Sequence, residues 1–282
     1  MKTLLVPTDF SESADNALNY AIEFALKDHS KIILLHSDEL DYQTFLYTLI
    51  VPANDAIKSV THQLLRDRAL KIGRTGVLEY DSILKNSSLS DAILSTAEEQ
   101  HVDLIIMGTK GAHGLKKFLA GSNTASIVEN AHCPVIAVPE NAHYKDIRKI
   151  TYATDYHESD VPAFQKLIRI VKPFSAELEI VHVSSPAVAQ NSSDHEKMQQ
   201  FLSKLHLLEG GEAISFKILE GENLAEKFED YVNSGGTNLL VMNTQQRNLV
   251  EKLLNDSISK EITYHAKVPL LVFHHTKQPI VF

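Results

Sequence analysis

A chain of 282 residues, 44% of them apolar, is longer than one ordinary domain needs and has enough apolar material to core two. Acidic residues outnumber basic ones by 36 to 27, a formal charge of −9, and no Lys/Arg cluster stands out; this excludes a general binder of nucleic-acid backbones, though a local basic spot can still hold a small anion. The one cysteine, Cys133, excludes an internal disulfide and fits a reducing cytoplasm.

The chain opens MKTLLVPTDF, a strand at 2–7 running straight into a turn, and Pro7 breaks it too soon for the apolar core of a signal peptide. A helix follows over 12–27, with Ser11 as N-cap and Ala14, Leu18, Ala21, Ile22 and Ala25 spaced along one face. Next come a strand at 31–36, a helix at 55–72 capped by Asn54 or Asp55, and a strand at 76–82. A helix at 89–99, a strand at 103–107, a helix at 122–131 and a strand at 135–138 complete the first half. The stretch DYQTFLYTLIVPAN (41–54) fits neither period; it reads as a loop packed on its own domain or as a flap over a ligand. Further strands are expected at 149–154, 177–183, 214–219, 239–242 and 269–273. Their cores are short continuous apolar runs, as when helices cover both faces, and alternating strand and helix implies a doubly wound parallel sheet. The fold class is therefore α/β, as two tandem domains at 1–143 and 147–282 joined in the polar stretch Glu140 to Arg148. No apolar run approaches a membrane span, so no membrane partner is expected.

The halves repeat one another. KTLLVPTDFSES (2–13) lies over KITYATDYHES (149–159), so that Asp9 matches Asp155. His36 and His182 share the same offset (182 − 36 = 146), and the strand ending at Ser37 is laid against the one ending at Ser184. LIIMGTKG matches LLVMNTQQ, and HCPVIAVP matches AKVPLLVFH at an offset of 135 (269 − 134), so the second half is shorter by 11 residues, lost between its second and fourth strands.

After the fourth strand the first half reads GTKGAHGLKKFLAGSNTAS, with Gly108, Gly111, Gly114 and Gly121 within fourteen residues. Glycines let backbone turn tightly and approach a ligand without an intervening Cβ. The helix opened by Ser122, Asn123 and Thr124 presents unpaired N–H groups and a positive dipole end, and together these make an anion site suited to phosphates. Lys110, Lys116 and Lys117 add positive charge. The same residues would also serve a plain surface loop ending in a helix cap, and loop chemistry alone does not separate the two. Neither a Gly-x4-Gly-Lys-Ser/Thr loop nor a Gly-x-Gly-x2-Gly turn after the first strand is present, which disfavours a P-loop NTPase and a dinucleotide site of the usual type.

The spacing Gly108-x2-Gly111-x9-Gly121-Ser122, the opening VPTDFSES and the closing HCPVIAVP resemble the universal stress protein family, and the resemblance runs over the whole chain twice. It implies adenine nucleotide alpha hydrolase-like domains with five parallel strands in the order 3-2-1-4-5, which bring the first and fourth strands together where the winding reverses. It further implies a Rossmann-like ATP site, with or without magnesium, in a cytoplasmic stress-response regulator that is not a fast enzyme. Asp9 would meet the adenine or ribose end beside Pro7, Ser37 would lie by the adenine, and Met107 would sit at the end of the fourth strand. Gly108, Lys110, Gly111, Gly121, Ser122 and Asn123 would wrap the phosphates. The fifth strands would face each other as an intramolecular pseudo-dimer, with homo-oligomers open as a further possibility. One departure stands out: the family often has a basic residue directly after the second glycine, where this chain has Ala112.

The second half has lost the signature, since Gly108, Gly111 and Gly121 align with Asn243, Gln246 and Asp256. Asp256 puts a negative charge where phosphates would sit, so this half is expected not to bind ATP in the family's mode. No histidine spacing matches a zinc motif, and no His or Lys pairs with Asp9 as catalytic base, so neither a metal site nor a catalytic residue is expected. Two other classes stand beside a nucleotide-binding regulator. One is an interaction or dimerisation module of the same fold that has dropped nucleotide, with Ala112 in its favour. The other is an ATP-splitting or adenylyl-transferring enzyme, whose glycine-serine loop after the first strand is missing from PTDFSES.

Overall fold

A computed structural model describes residues 1–38, 54–109, 122–184, 192–206, 214–220, 224–243 and 268–273, and the chain divides into two compact units between Tyr144 and Lys145. In the first unit β1 (Thr3–Pro7), β2 (Lys31–Ser37), β3 (Tyr80–Lys85), β4 (Leu104–Gly108) and β5 (Val135–Val138) alternate with four helices, α1 (Glu12–Asp28), α2 (Asn54–Gly73), α3 (Leu89–Glu99) and α4 (Ser122–Asn130). The strands lie in the order β3-β2-β1-β4-β5, and their ladders are parallel. β1 takes the middle because both of its faces are apolar: Leu4, Leu5 and Val6 have no exposed surface. Leu5 pairs with Ile33 on one side and Ile105 on the other, so the winding reverses between β1 and β4.

Local chemistry sets the bounds of α1. Ser11 is its N-cap, with the hydroxyl accepting from the Ala14 amide at 3.2 Å, a contact worth about 1 kcal/mol in such caps. His29 closes the helix in the left-handed conformation and donates its amide to the Ala25 carbonyl. Between them Ala17, Ala21 and Ala25 are fully buried, and these small side chains let the helix lie close on the sheet.

One strand differs from its expected place. β3 spans Tyr80–Lys85 rather than 76–82. Gly76, at φ 71°, continues the turn out of α2, and the Thr75 hydroxyl takes the Leu78 amide, so Val77 is left 75% exposed. The apolar pair Val77–Leu78 imitates a strand, whereas the ladder begins only where Ile32 meets Tyr80.

The second unit holds β6 (Lys149–Thr154), β7 (Glu177–Ser184), β8 (Ile214–Glu220), β9 (Leu239–Asn243) and β10 (Leu270–Phe273), with α5 (Asp160–Val171), α6 (Ser192–His206) and α7 (Leu224–Ser234). Its order is β8-β7-β6-β9-β10, again with parallel ladders. Lys149 pairs with Glu177 as Thr3 pairs with Lys31, both shifted by 146, so the position equivalent to Ser37 is Val183 and not Ser184. The motif ending in Ser184 carries its histidine one residue earlier than the motif ending in Ser37, and aligning the final serines hides that step. Among the described residues no helix is long and apolar enough to cross a membrane.

A buried amide fastens the end of the first unit. Asn16, inside α1, donates from Nδ2 to the Pro139 and Ala142 carbonyls, both at 3.0 Å, and its Oδ1 accepts from His143 Nδ1 at 3.1 Å. The Tyr20 ring meets Tyr144 edge-on, with centroids 5.2 Å apart. Asn16→Ala should therefore destabilise the chain by about 1–3 kcal/mol, because two buried carbonyls lose their donor. Urea denaturation read by tyrosine fluorescence, in a chain without tryptophan, checks this against Glu23→Ala as an exposed control on the same helix.

Candidate functional site

The turn from β1 to α1 is tightly specified. The Phe10 amide donates to Thr8 Oγ1 at 3.1 Å, and the Ser11 amide donates to Asp9 Oδ1 at 3.0 Å, so Asp9 shapes its own turn. Phe10 stands between them at φ 64°, a left-handed conformation that non-glycine residues adopt at a cost of about 1–2 kcal/mol. Its ring is held against the imidazole of His36 on β2, with centroids 4.3 Å apart. His36 is itself fixed by donating Nδ1–H to the Thr8 carbonyl at 2.7 Å, leaving the hydrogen on Nδ1.

β1 ends at Pro7, two residues before Asp9, and its parallel neighbour β4 ends at Gly108, with Leu5 paired to Ile105 between them. Four of the expected residues, Pro7, Asp9, Met107 and Gly108, thus come together at the carboxyl ends of two adjacent strands. Ligands of open α/β sheets bind where the strand order reverses in this way. Ser37 lies on the other side of β1, at the end of β2, and its hydroxyl donates to the Ser87 carbonyl ahead of α3. Ser122 and Asn123 are the first two residues of α4, whose opening amides are left over by helix geometry. Lys110, Gly111 and Gly121 lie outside the described residues, as do Gln246 and Asp256.

Gly108 has a reason to be glycine besides any ligand. A Cβ there would lie 2.6 Å from Ser13 Oγ and 2.9 Å from the Ser13 carbonyl oxygen, in the first turn of α1. Ser13 is buried, and its hydroxyl has no hydrogen-bond partner among the described residues. Sequence reasoning missed Ser13, Phe10 and His36 as site residues. The signal for the last two was present, because the aromatic after Asp9 and the histidine of β2 both recur at the offset of 146.

The second unit copies the turn and alters what surrounds it. Tyr156, at φ 62°, donates its amide to Thr154 Oγ1, and its ring stacks on His182 with centroids 4.4 Å apart. His182 Nδ1 donates to the Thr154 carbonyl, and Asp155 Oδ1 accepts the His157 amide. Asn243, which stands where the first unit has Gly108, does not project as an obstacle to ligand. It turns inward, its Nδ2 donating to the Ser159 carbonyl and hydroxyl at 3.0 Å and to Asp160 Oδ1 at 3.2 Å. Ser159 is the equivalent of Ser13, so the amide stands where the first unit packs Ser13 directly against the Gly108 backbone. There is room because α5 starts at Asp160, two positions later in the repeat than α1 at Glu12.

Asp160 has no exposed surface and also accepts from Thr154 Oγ1 at 2.6 Å and from the Tyr152 hydroxyl at 3.2 Å. Burial pushes its carboxyl above the ordinary value and the charge of Asp155 adds to this, while hydrogen bonds from Thr154, Asn243 and Tyr152 pull the other way. A carboxyl whose folded pKa is raised binds its proton more tightly folded than unfolded. The second unit should therefore lose stability as pH rises from about 4 through the folded pKa. Asp160→Asn should flatten that dependence, as measured by urea midpoints between about pH 4 and pH 7. In the first unit, Gly108→Ala should destabilise by about 1–3 kcal/mol through overpacking against Ser13, and Ser13→Gly in the same chain should recover part of the loss. Paired denaturation curves of the single and double variants read both effects.

Comparison with known proteins agrees with this duplicated architecture. The universal stress protein family matches residues 1–139 and again 146–274. A universal stress protein of Methanocaldococcus jannaschii is 29% identical over 143 residues, which cover 49% of this chain and 81% of that protein. One from Thermus aquaticus is 30% identical over 141 residues, covering 49% and 98%. These relatives are about one unit long. The crystal structure of a universal stress protein from Archaeoglobus fulgidus spans both units, with a TM-score of 0.71 at 20% identity over 96% of this chain and 98% of that one, and so shares the fold. Matched once over each of its two units, the chain belongs to the universal stress protein family.

Proposed function

We propose that the first unit binds an adenine nucleotide, ATP foremost, and that the chain acts as a nucleotide-responsive stress regulator and not as a fast enzyme. The observation that carries this reading is the contrast at one position of the repeat. Gly108 packs its bare backbone against Ser13, whose buried hydroxyl has no hydrogen-bond partner among the described residues, whereas the second unit puts the Asn243 amide at the same place and bonds it to Ser159 and Asp160. The Gly108-x2-Gly111-x9-Gly121-Ser122 spacing then supplies backbone amides for phosphates, ending at the positive end of α4. Asp9 suits ribose hydroxyls, since a carboxylate accepts two hydrogen bonds. Among the described residues no group of three or more His, Cys, Asp or Glu is placed to hold a metal ion, so any magnesium would arrive with the phosphates.

The second reading is an interaction module of the same fold without nucleotide, favoured by Ala112 in place of a basic residue. Mass analysis of what the denatured, purified chain releases separates the two, together with thermal shift in millimolar ATP. A nucleotide binder should release an adenine nucleotide or shift upward with ATP, and Gly121→Asp, which copies the second half, should abolish both responses. An empty chain indifferent to ATP supports the interaction module.

A further inference from the structure

The β1–α1 turn is duplicated almost atom for atom, and one part of its support is not. In the first unit Arg68, from α2, reaches Asp15 with two parallel bonds, Nε to Oδ1 and NH2 to Oδ2, both at 3.0 Å. The same guanidinium donates to the Phe10 carbonyl at 3.3 Å and lies over the Phe10 ring, 5.1 Å from its centroid. Phe10 is thereby gripped on its carbonyl and its ring while its amide is held by Thr8. In the second unit, position 161, the equivalent of Asp15, is Val161. Where Arg68 would meet the ring, α6 sets Phe201 against Tyr156, with centroids 5.7 Å apart. Asp15 is thus replaced by an apolar residue and an aromatic ring takes the place of the guanidinium against the turn, in the unit whose fourth strand has also lost its glycine.

We propose that Arg68 and Asp15 are the positioning pair of the first unit's ligand crevice. They hold Phe10 in its left-handed conformation and so fix Asp9 at the carboxyl end of β1. This rests on the nucleotide reading above, and it adds a long-range determinant of that site from a helix that contributes none of the expected ligand contacts. Bidentate geometry is what the role needs, because a planar fork bonded to one carboxylate cannot rotate and keeps its remaining donor aimed at the Phe10 carbonyl. Lysine would supply the charge without the fork.

The test measures ATP and adenosine binding to the full chain carrying Arg68→Met, Arg68→Lys, Asp15→Val, or the transplanted pair Asp15→Val with Arg68→Phe. A positioning role predicts that Arg68→Met and Arg68→Lys weaken ATP and adenosine by the same factor, about tenfold, while the thermal midpoint moves little. It also predicts that the transplanted pair restores affinity above either of its single changes, because the second unit shows an apolar pair supporting the same turn. A loss confined to ATP overturns it, since the guanidinium would then be meeting phosphate itself. Wild-type affinity in Arg68→Met overturns it too. Amide exchange at Phe10 and Ser11 in the ligand-free chain reads the grip without any nucleotide, and both amides should exchange faster in Arg68→Met. Faster exchange in a chain that binds neither ligand would remove the nucleotide reading and the crevice role, leaving only a structural clamp. Unchanged exchange would remove the clamp as well.

Discussion

No side chain fits between the end of β4 and the first turn of α1 as the first unit builds them. Ser13 and the backbone of Gly108 approach too closely for a Cβ, and this one contact fixes how the central helix lies over the sheet. The second unit shows what happens when the constraint is released. α5 begins later, Asn243 enters, and a buried polar cluster grows around Asp160.

The architecture was legible because its signals are local and repeated. Short apolar runs alternating with helices, and an offset of 146, sufficed for strand number and parallel winding. The glycine spacing after β4 is the signal on which the proposed phosphate site of the first half rests. What the sequence hid depends on contacts across the fold. Arg68 and Asp15 lie 53 positions apart, on a helix and a helix start that no periodicity relates. The role of Gly108 as a packing glycine was invisible for the same reason, since Ser13 reads simply as one more polar residue near a cap. β3 slipped because Val77 and Leu78 have strand-like side chains but belong to the turn that Gly76 makes, and an edge strand offers little apolar pattern to correct the error.

Energetics distinguish support from stability. A partly exposed pair such as Arg68–Asp15, its side chains 19% and 36% exposed, contributes about 1 kcal/mol to folding, and an aromatic contact such as Tyr156–Phe201 about 0.5–1.5 kcal/mol, so the exchange between units has little consequence for stability. Its consequence is geometric. The charged version adds a directed bond to the carbonyl of a strained residue, whereas the apolar version sets one ring against another.

The inward-turned Asn243 also acts as a ratchet in the history of the repeat. Once its amide bonded Ser159 and Asp160, a return to glycine at that position would strip a donor from the buried Asp160 carboxyl and from the Ser159 carbonyl. Regaining the first unit's glycine packing would then require the helix start and the amide to change together. Divergence between the two halves is therefore easy in one direction and obstructed in the other, which makes the loss in the second unit self-sealing.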